Sequence, residues 1–130
     1  MTTKTSTDKA KAFGDTFTAL RTMLQKAGRS LLVTADTPTD FQVASKTRVD
    51  RIGRPLFVAA VQIKKSYVSF HLMPVYAIPA LLDGVSPQLR KRMQGKACFN
   101  FTTIDAAQLK ELNALTRTGI EKFKKVEVPW

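Results

Sequence analysis

The chain has few of the residues that build disulfides and metal cages. Its 130 residues include one cysteine, Cys98, and one histidine, His71. A single cysteine excludes an internal disulfide and a cysteine-based zinc site, which favours a reducing cytoplasm. No apolar stretch follows the first charges, as a secretory signal would need, and the longest mainly apolar run, Pro55–Ile63, is too short to cross a bilayer. We therefore expect a cytoplasmic protein with no membrane partner.

Acidic residues are also scarce. Ten Asp and Glu face twenty-one Lys and Arg, which gives a net charge of +11. Such a charge attracts polyanions and repels free cations, although it also serves simply to keep a small protein in solution. Neither of the glycine-rich phosphate-binding motifs, G-x-x-x-x-G-K-[ST] and G-x-G-x-x-G, is present. The composition leaves three kinds of partner open: an acidic protein, an anionic small molecule or a nucleic acid.

Apolar periodicity predicts two long helices at the ends of the chain. The first covers residues 7–27, because Phe13, Phe17, Leu20 and Leu24 recur at helical spacing. The last covers residues 105–125 and begins with Asp105 and Gln108, the pair expected of a capping box. A short helix is predicted over residues 86–93, with Ser86 as its N-cap and Gly95 as the residue that prevents it from continuing.

Short segments with alternating polarity predict strands at residues 31–35, 41–46, 56–64, 67–73 and 97–102. The order of elements lacks the alternation of a parallel sheet. We therefore predict an α+β two-layer sandwich: an antiparallel sheet of about five strands, with the N- and C-terminal helices packed on one face. Residues 1–130 form a single domain whose first few residues are disordered.

Two patterns are candidates for chemistry. Basic residues group at Lys46, Arg48, Arg51 and Arg54, at Lys64 and Lys65, and at Arg90, Lys91, Arg92 and Lys96; these are three solvated clusters or, where the fold joins them, one anion-binding patch. His71 shares a strand face with Tyr67 and Ser69, and Cys98 lies on a possible neighbouring strand. A catalytic pair with His71 is conceivable, but the nearby sequence offers no carboxylate to orient the imidazole.

The segments at residues 65–76 and 93–101, together with the spacing of the final helix, resemble the YdhG-like family of bacterial domains of unknown function. The resemblance covers roughly residues 10–125 and implies a compact α+β sandwich related to frataxin-like arrangements. Some relatives are described as frataxin-like iron chaperones, whose iron binding uses an acidic ridge on the first helix. Here that helix offers only Asp8 and Asp15 against Lys4, Lys9, Lys11, Arg21 and Lys26.

The sequence therefore predicts a non-enzymatic binding domain for an acidic protein or an anionic small molecule, with nucleic acid as a further possibility. We expect Lys64 and Lys96 to supply charge, and His71 and Tyr76 to orient the ligand by hydrogen bonds. No catalytic residue, metal ligand or cofactor is predicted. A frataxin-like iron chaperone and an enzyme that uses His71 are the alternatives. The protein is expected to be a monomer or a weak homodimer that forms through a sheet edge.

Overall fold

The computed structural model describes the backbone of residues 2–130 and the side chains of residues 9–130. The side chains of Lys4 and Asp8 lie outside the described residues, and the disorder predicted for the first few residues stays a prediction. The elements in chain order are α1 (Thr2–Ala27), β1 (Leu32–Thr37), β2 (Asp40–Val49), β3 (Pro55–Ile63), β4 (Val68–Leu72), α2 (Met73–Ala77), α3 (Pro87–Arg90), β5 (Met93–Gln94), β6 (Cys98–Phe101) and α4 (Ala106–Phe123), with a 3-10 turn at Pro79–Leu82.

The strands form one antiparallel sheet in the order β1-β2-β3-β4-β6-β5. The predicted α+β class, with an antiparallel sheet and helices from both ends of the chain, is confirmed. Short turns join β1 to β2 and β3 to β4, which is why these strands are neighbours in the sheet. Among the described residues, no helix is both long and apolar enough to cross a membrane.

The core lies between the helices and one face of the sheet, which we call the inner face. The predicted stripe of α1 is buried there, with Leu20 and Leu24 fully inaccessible. On β4, Val68, Phe70 and Leu72 point into the same core. The capping box of α4 forms as predicted: the Asp105 carboxylate accepts the N–H of Gln108, whose side chain in turn accepts the N–H of Asp105. Ser69 and His71 therefore lie on the outer face of the sheet.

Several elements differ from the prediction. α1 begins at Thr2 instead of residue 7, and β2 continues to Val49 instead of residue 46. The fourth strand ends at Leu72 instead of Met73, and Met73 begins α2, in whose first turn Pro74 is tolerated because no intrahelical N–H is needed there. The predicted short helix ends at Arg90 instead of Met93. Met93 pairs with Phe99 to start β5, a sixth strand, and Gly95 turns the chain with a φ of +76°.

Candidate functional site

A cysteine and a histidine meet on the outer face of the sheet. His71 on β4 lies directly opposite Cys98 on β6, and the Cys98 Sγ is 2.9 Å from the His71 Nδ1. The Nε2 of the same ring lies 3.1 Å from the Met73 Sδ, at the start of α2. The thiol can only donate usefully to an unprotonated Nδ1, so the two contacts together favour the tautomer with the proton on Nε2.

Burial shifts the pKa of each member of this pair in the direction that favours its uncharged form. Burial lowers the pKa of the His71 imidazole. Burial also raises the pKa of the Cys98 thiol, and it outweighs a hydrogen bond with Ser69 and the positive charge of Lys64, which both act to lower that pKa. The two shifts disfavour a thiolate–imidazolium pair near neutral pH, the form that activated cysteines use. The second partner of the ring is a thioether, which does not orient or charge-stabilise an imidazole as a carboxylate does.

The geometry predicts a slow-reacting thiol. We expect Cys98 in the folded protein to react with iodoacetamide more slowly than free cysteine at pH 8, because its thiolate fraction is smaller. The rate should reach its midpoint above pH 9.0, the ordinary thiol value. Mass spectrometry of alkylated protein over a pH series measures this, with the same chain unfolded in guanidinium chloride as the control. A folded-state rate equal to or above the unfolded-state rate at pH 8 would contradict it.

A cleft opens beside this pair, at the end of the sheet where β2 turns into β3. It has a volume of about 510 Å³, and its lining residues are Asp50, Arg51, Ile52, Arg54, Phe57, Met73 and Trp130. We call it the aromatic–basic cleft. The Phe57 and His71 rings are 5.5 Å apart between centroids. Phe57 and Met73, which both contact the His71 ring, are part of the lining, so His71 lies directly behind the wall of the cleft.

Tyr76 and Lys96 lie next to Trp130, a lining residue of the cleft at the C-terminus. The Tyr76 and Trp130 rings meet edge to face, with centroids 5.4 Å apart. The Lys96 ammonium lies 5.8 Å from the centroid of the Tyr76 ring, within the range of a cation–π contact. Tyr76 is 46% exposed although it is a large aromatic side chain. The Trp130 indole N–H is buried and finds no acceptor within residues 9–130.

The loop between β2 and β3 is held in one conformation by Asp50. Its carboxylate accepts the backbone N–H groups of Ile52 and Arg54, each at 3.0 Å, and the Arg54 Nε at 3.1 Å. Burial by itself would raise the Asp50 pKa, but these hydrogen bonds and the Arg54 charge outweigh it and lower the pKa. Gly53 completes the turn with a φ of +85°. Arg51 and Ile52 therefore project from a preorganised tip.

The structure divides the four predicted ligand-binding residues. His71 contacts Phe57 and Met73, two lining residues of the aromatic–basic cleft. Tyr76 contacts Trp130, a third lining residue, and Lys96 lies over the Tyr76 ring. Lys64 follows the last residue of β3, whereas His71 pairs with Ala60 within the strand. The four positions between Ala60 and Lys64 correspond to a Cα–Cα distance of about 13 Å. Its charge acts on Cys98, so Lys64 belongs to the outer face and not to the cleft.

Members of the same basic cluster have different roles in the structure. Two arginines have structural roles: the Arg48 guanidinium donates to the carbonyls of Phe123 and Val126, and the Arg90 guanidinium donates to the carbonyl of Leu82. Arg51 and Arg54 from the first group line the aromatic–basic cleft, and Lys96 from the third lies over the ring of Tyr76, which contacts the lining residue Trp130. The sequence gives no signal that Tyr76 and Trp130 meet, because they are far apart in the chain.

The carboxylates of the described side chains do not form a cluster that could bind a metal ion. In the part of the chain with described side chains, no three His, Cys, Asp or Glu residues are close enough to hold a metal ion together. Asp15 on α1 pairs with Lys11 at 2.8 Å and is exposed.

Comparison with protein-family models, with curated proteins and with solved structures finds no match for this chain. The resemblance to the YdhG-like family therefore stays a prediction, and the functional argument rests on the geometry of the cleft.

Proposed function

We propose that the protein is a cytoplasmic, non-enzymatic binding domain for an anionic small molecule with a flat apolar body, which it holds in the aromatic–basic cleft. The observation that carries the proposal is a cleft lined by Arg51 and Trp130, with the Tyr76 ring against Trp130 and the Lys96 ammonium over the Tyr76 ring. Aromatic rings bury the flat part of a ligand, and guanidinium and ammonium groups bind its anionic part.

The size and charge of the cleft fit this class of ligand. A volume of about 510 Å³ lies within the range of natural small-molecule pockets, roughly 300–1,000 Å³. Arg51, Arg54 and Lys96 contribute positive charge, whereas Asp50 is the only carboxylate among the lining residues and is already engaged by Arg54. An acceptor atom that reached the Trp130 indole N–H would also remove the cost of a buried unpaired donor.

Preorganisation supports binding as well. The Asp50 hydrogen bonds fix the loop that carries Arg51, so little conformational entropy is lost when a ligand binds there. His71 contacts the lining residues Phe57 and Met73, and burial, which lowers the pKa of its imidazole, favours the neutral ring as a polar group beside the cleft. These features favour recognition over chemistry at this site.

A titration with naphthalene-2-sulfonate tests the proposal. We expect saturable binding by calorimetry, with a matching change in the fluorescence of Trp130, the only tryptophan in the chain. The double substitution Arg51→Ala with Lys96→Ala should weaken binding about tenfold, since each surface charge contact contributes up to about 1 kcal/mol. Adding Tyr76→Ala to this double variant should weaken naphthalene-2-sulfonate binding further, because it removes the ring that contacts Trp130.

The matched control is the double substitution Lys65→Ala with Lys91→Ala, which removes the same formal charge at exposed positions outside the cleft lining. Equal weakening in both double variants would show that only the overall charge of +11 attracts the probe and would overturn the proposed site. Binding of neutral naphthalene-2-methanol with the same affinity would overturn the requirement for an anion.

A nucleic acid, an acidic protein and a second copy of the chain are the other possible partners, and each would be recognised by a different observation. A mixed-sequence oligonucleotide that bound more tightly than naphthalene-2-sulfonate, with an affinity falling steeply with salt, would favour a nucleic-acid partner. An acidic protein would need a surface larger than the cleft. A weak homodimer would form at the edge strand β1, where Leu32 and Val33 are exposed.

A further inference from the structure

Another cavity shares no lining residue with the aromatic–basic cleft. It lies between the loop that follows α1 and the C-terminal end of α4. It has a volume of about 290 Å³. Its apolar wall consists of side chains from the loop after α1, from β3 and from α4: Leu31, Leu56, Val58, Ile120 and Phe123. Most of these are core residues, with Leu56 and Val58 almost inaccessible. The cavity, which we call the apolar pit, is thus an opening into the hydrophobic core.

A bulge in β2 makes the pit. The register with β3 passes from Ala44 opposite Phe57 to Val49 opposite Pro55, so residues 45–48 of β2 face only Leu56. The extra length turns outward, and the Ser45 Oγ accepts the N–H groups of Thr47 at 3.1 Å and Arg48 at 2.9 Å. This wall therefore has a defined shape.

Arg48 joins the bulge to the opposite wall. Its guanidinium donates to the carbonyls of Phe123 and Val126 at the end of α4. It also lies over the Phe123 ring, 5.6 Å from the centroid. These contacts tie the bulge to the C-terminal end of α4, so the pit is shaped before a ligand binds.

The rim of the pit is cationic. Lys46, in the bulge, and Lys124, after α4, are both exposed, and Ser30 and Thr47 add hydroxyl groups. No carboxylate lines the pit, although Glu121 approaches Lys124 at 3.2 Å on the helix surface. A ligand that fits must have a hydrocarbon part for the wall and one negative charge for the rim.

We infer that the apolar pit binds a medium-chain aliphatic carboxylate. The hydrocarbon chain lies against Val58, Ile120 and Phe123, and the carboxylate lies between Lys46 and Lys124. The volume is at the lower limit of small-molecule pockets, so one short chain fills it. The occupant differs from that of the aromatic–basic cleft because this wall is mainly aliphatic and carries no indole or phenol ring.

Octanoate is the probe, measured by calorimetry against hexanoate and decanoate. Affinity should rise about fourfold for each added methylene until the pit is full. The double substitution Lys46→Ala with Lys124→Ala should weaken octanoate binding about tenfold, whereas Lys122→Ala with Lys125→Ala, which removes the same charge from exposed neighbours, should leave it nearly unchanged. Octylammonium should not bind.

Ser30→Phe supplies an independent variant, because Ser30 is exposed yet lines the pit, so a larger side chain closes the pit without entering the core. It should abolish octanoate binding and leave naphthalene-2-sulfonate binding intact. Equal weakening in the two lysine double variants, affinity independent of chain length, or unchanged binding by Ser30→Phe would each overturn the assignment. Because the two probes respond to different variants, failure of this site is distinguishable from failure of the aromatic–basic cleft.

Discussion

Replacing Phe99 with alanine is expected to lower the free energy of unfolding by about 3–5 kcal/mol. Phe99 lies at the centre of β6, fully inaccessible, and directly opposite Phe70, which is equally buried. Truncation leaves a cavity that the sheet cannot close, because the neighbouring strands are held by their own hydrogen bonds. Small domains have a total stability of about 5–15 kcal/mol, so the loss is a large part of it. Urea denaturation followed by circular dichroism measures the change.

Phe57→Ala is the matched control for this experiment. Phe57 is only partly buried and lies beside His71 on the outer face of the sheet. The same truncation should therefore cost clearly less stability and act instead on ligand binding in the aromatic–basic cleft. If Phe57→Ala destabilised the protein as much as Phe99→Ala, the assignment of an inner core and an outer binding face would be wrong.

Replacing Arg48 with alanine is expected to lower the free energy of unfolding by about 2–3 kcal/mol. The substitution removes two charged hydrogen bonds to the carbonyls of Phe123 and Val126 and the contact with the Phe123 ring. Hydrogen bonds to charged groups contribute about 1.5–3 kcal/mol, and those made by one side chain are not additive. Denaturation in urea gives the stability change.

The same substitution should also loosen the C-terminal segment, because Val126 is the last backbone anchor before Trp130. Trp130 fluorescence should shift to longer wavelength and become easier to quench with acrylamide, and naphthalene-2-sulfonate should bind more weakly at temperatures where the variant is folded. Arg48→Lys should give an intermediate result, since an ammonium group cannot donate to both carbonyls in the geometry of the guanidinium fork.

Arg51→Ala is the control, because it removes an equal charge from a residue of the exposed loop tip. It should change stability by less than about 0.5 kcal/mol. Equal effects of the two arginine substitutions on stability would show that net charge, and not the anchoring of the C-terminal segment, decides the outcome.

Local sequence signals predicted the regular elements well. Phe13, Phe17, Leu20 and Leu24 recur at helical spacing and form the buried face of α1. Asp105 and Gln108 predicted the start of α4 from two residues three positions apart. These signals are reliable because helical periodicity and capping involve groups within a few residues of one another.

The prediction was less accurate where proline and short pairings decide the structure. The alternating pattern predicts a strand through residue 73, yet Met73 and Pro74 begin α2, because proline in the first turn of a helix costs no hydrogen bond. Gly95 was assigned to the end of a helix, but it forms the turn between β5 and β6. A two-residue strand such as β5 has no periodicity of its own, so only its pairing with β6 reveals it.

The fold class, the composition of the inner face and the excess of positive charge could all be read from the sequence, because each depends on local patterns or on simple counts. Which of the charged side chains remain available to a ligand depends on long-range packing. Arg48 and Arg51 are three residues apart and look equivalent in the sequence, but Arg48 meets the carbonyls of Phe123 and Val126 while Arg51 projects into the cleft. Likewise, Tyr76, Lys96 and Trp130 become neighbours only when the sheet and the C-terminal segment pack together, since long-range contacts depend on the whole chain and leave no local signal.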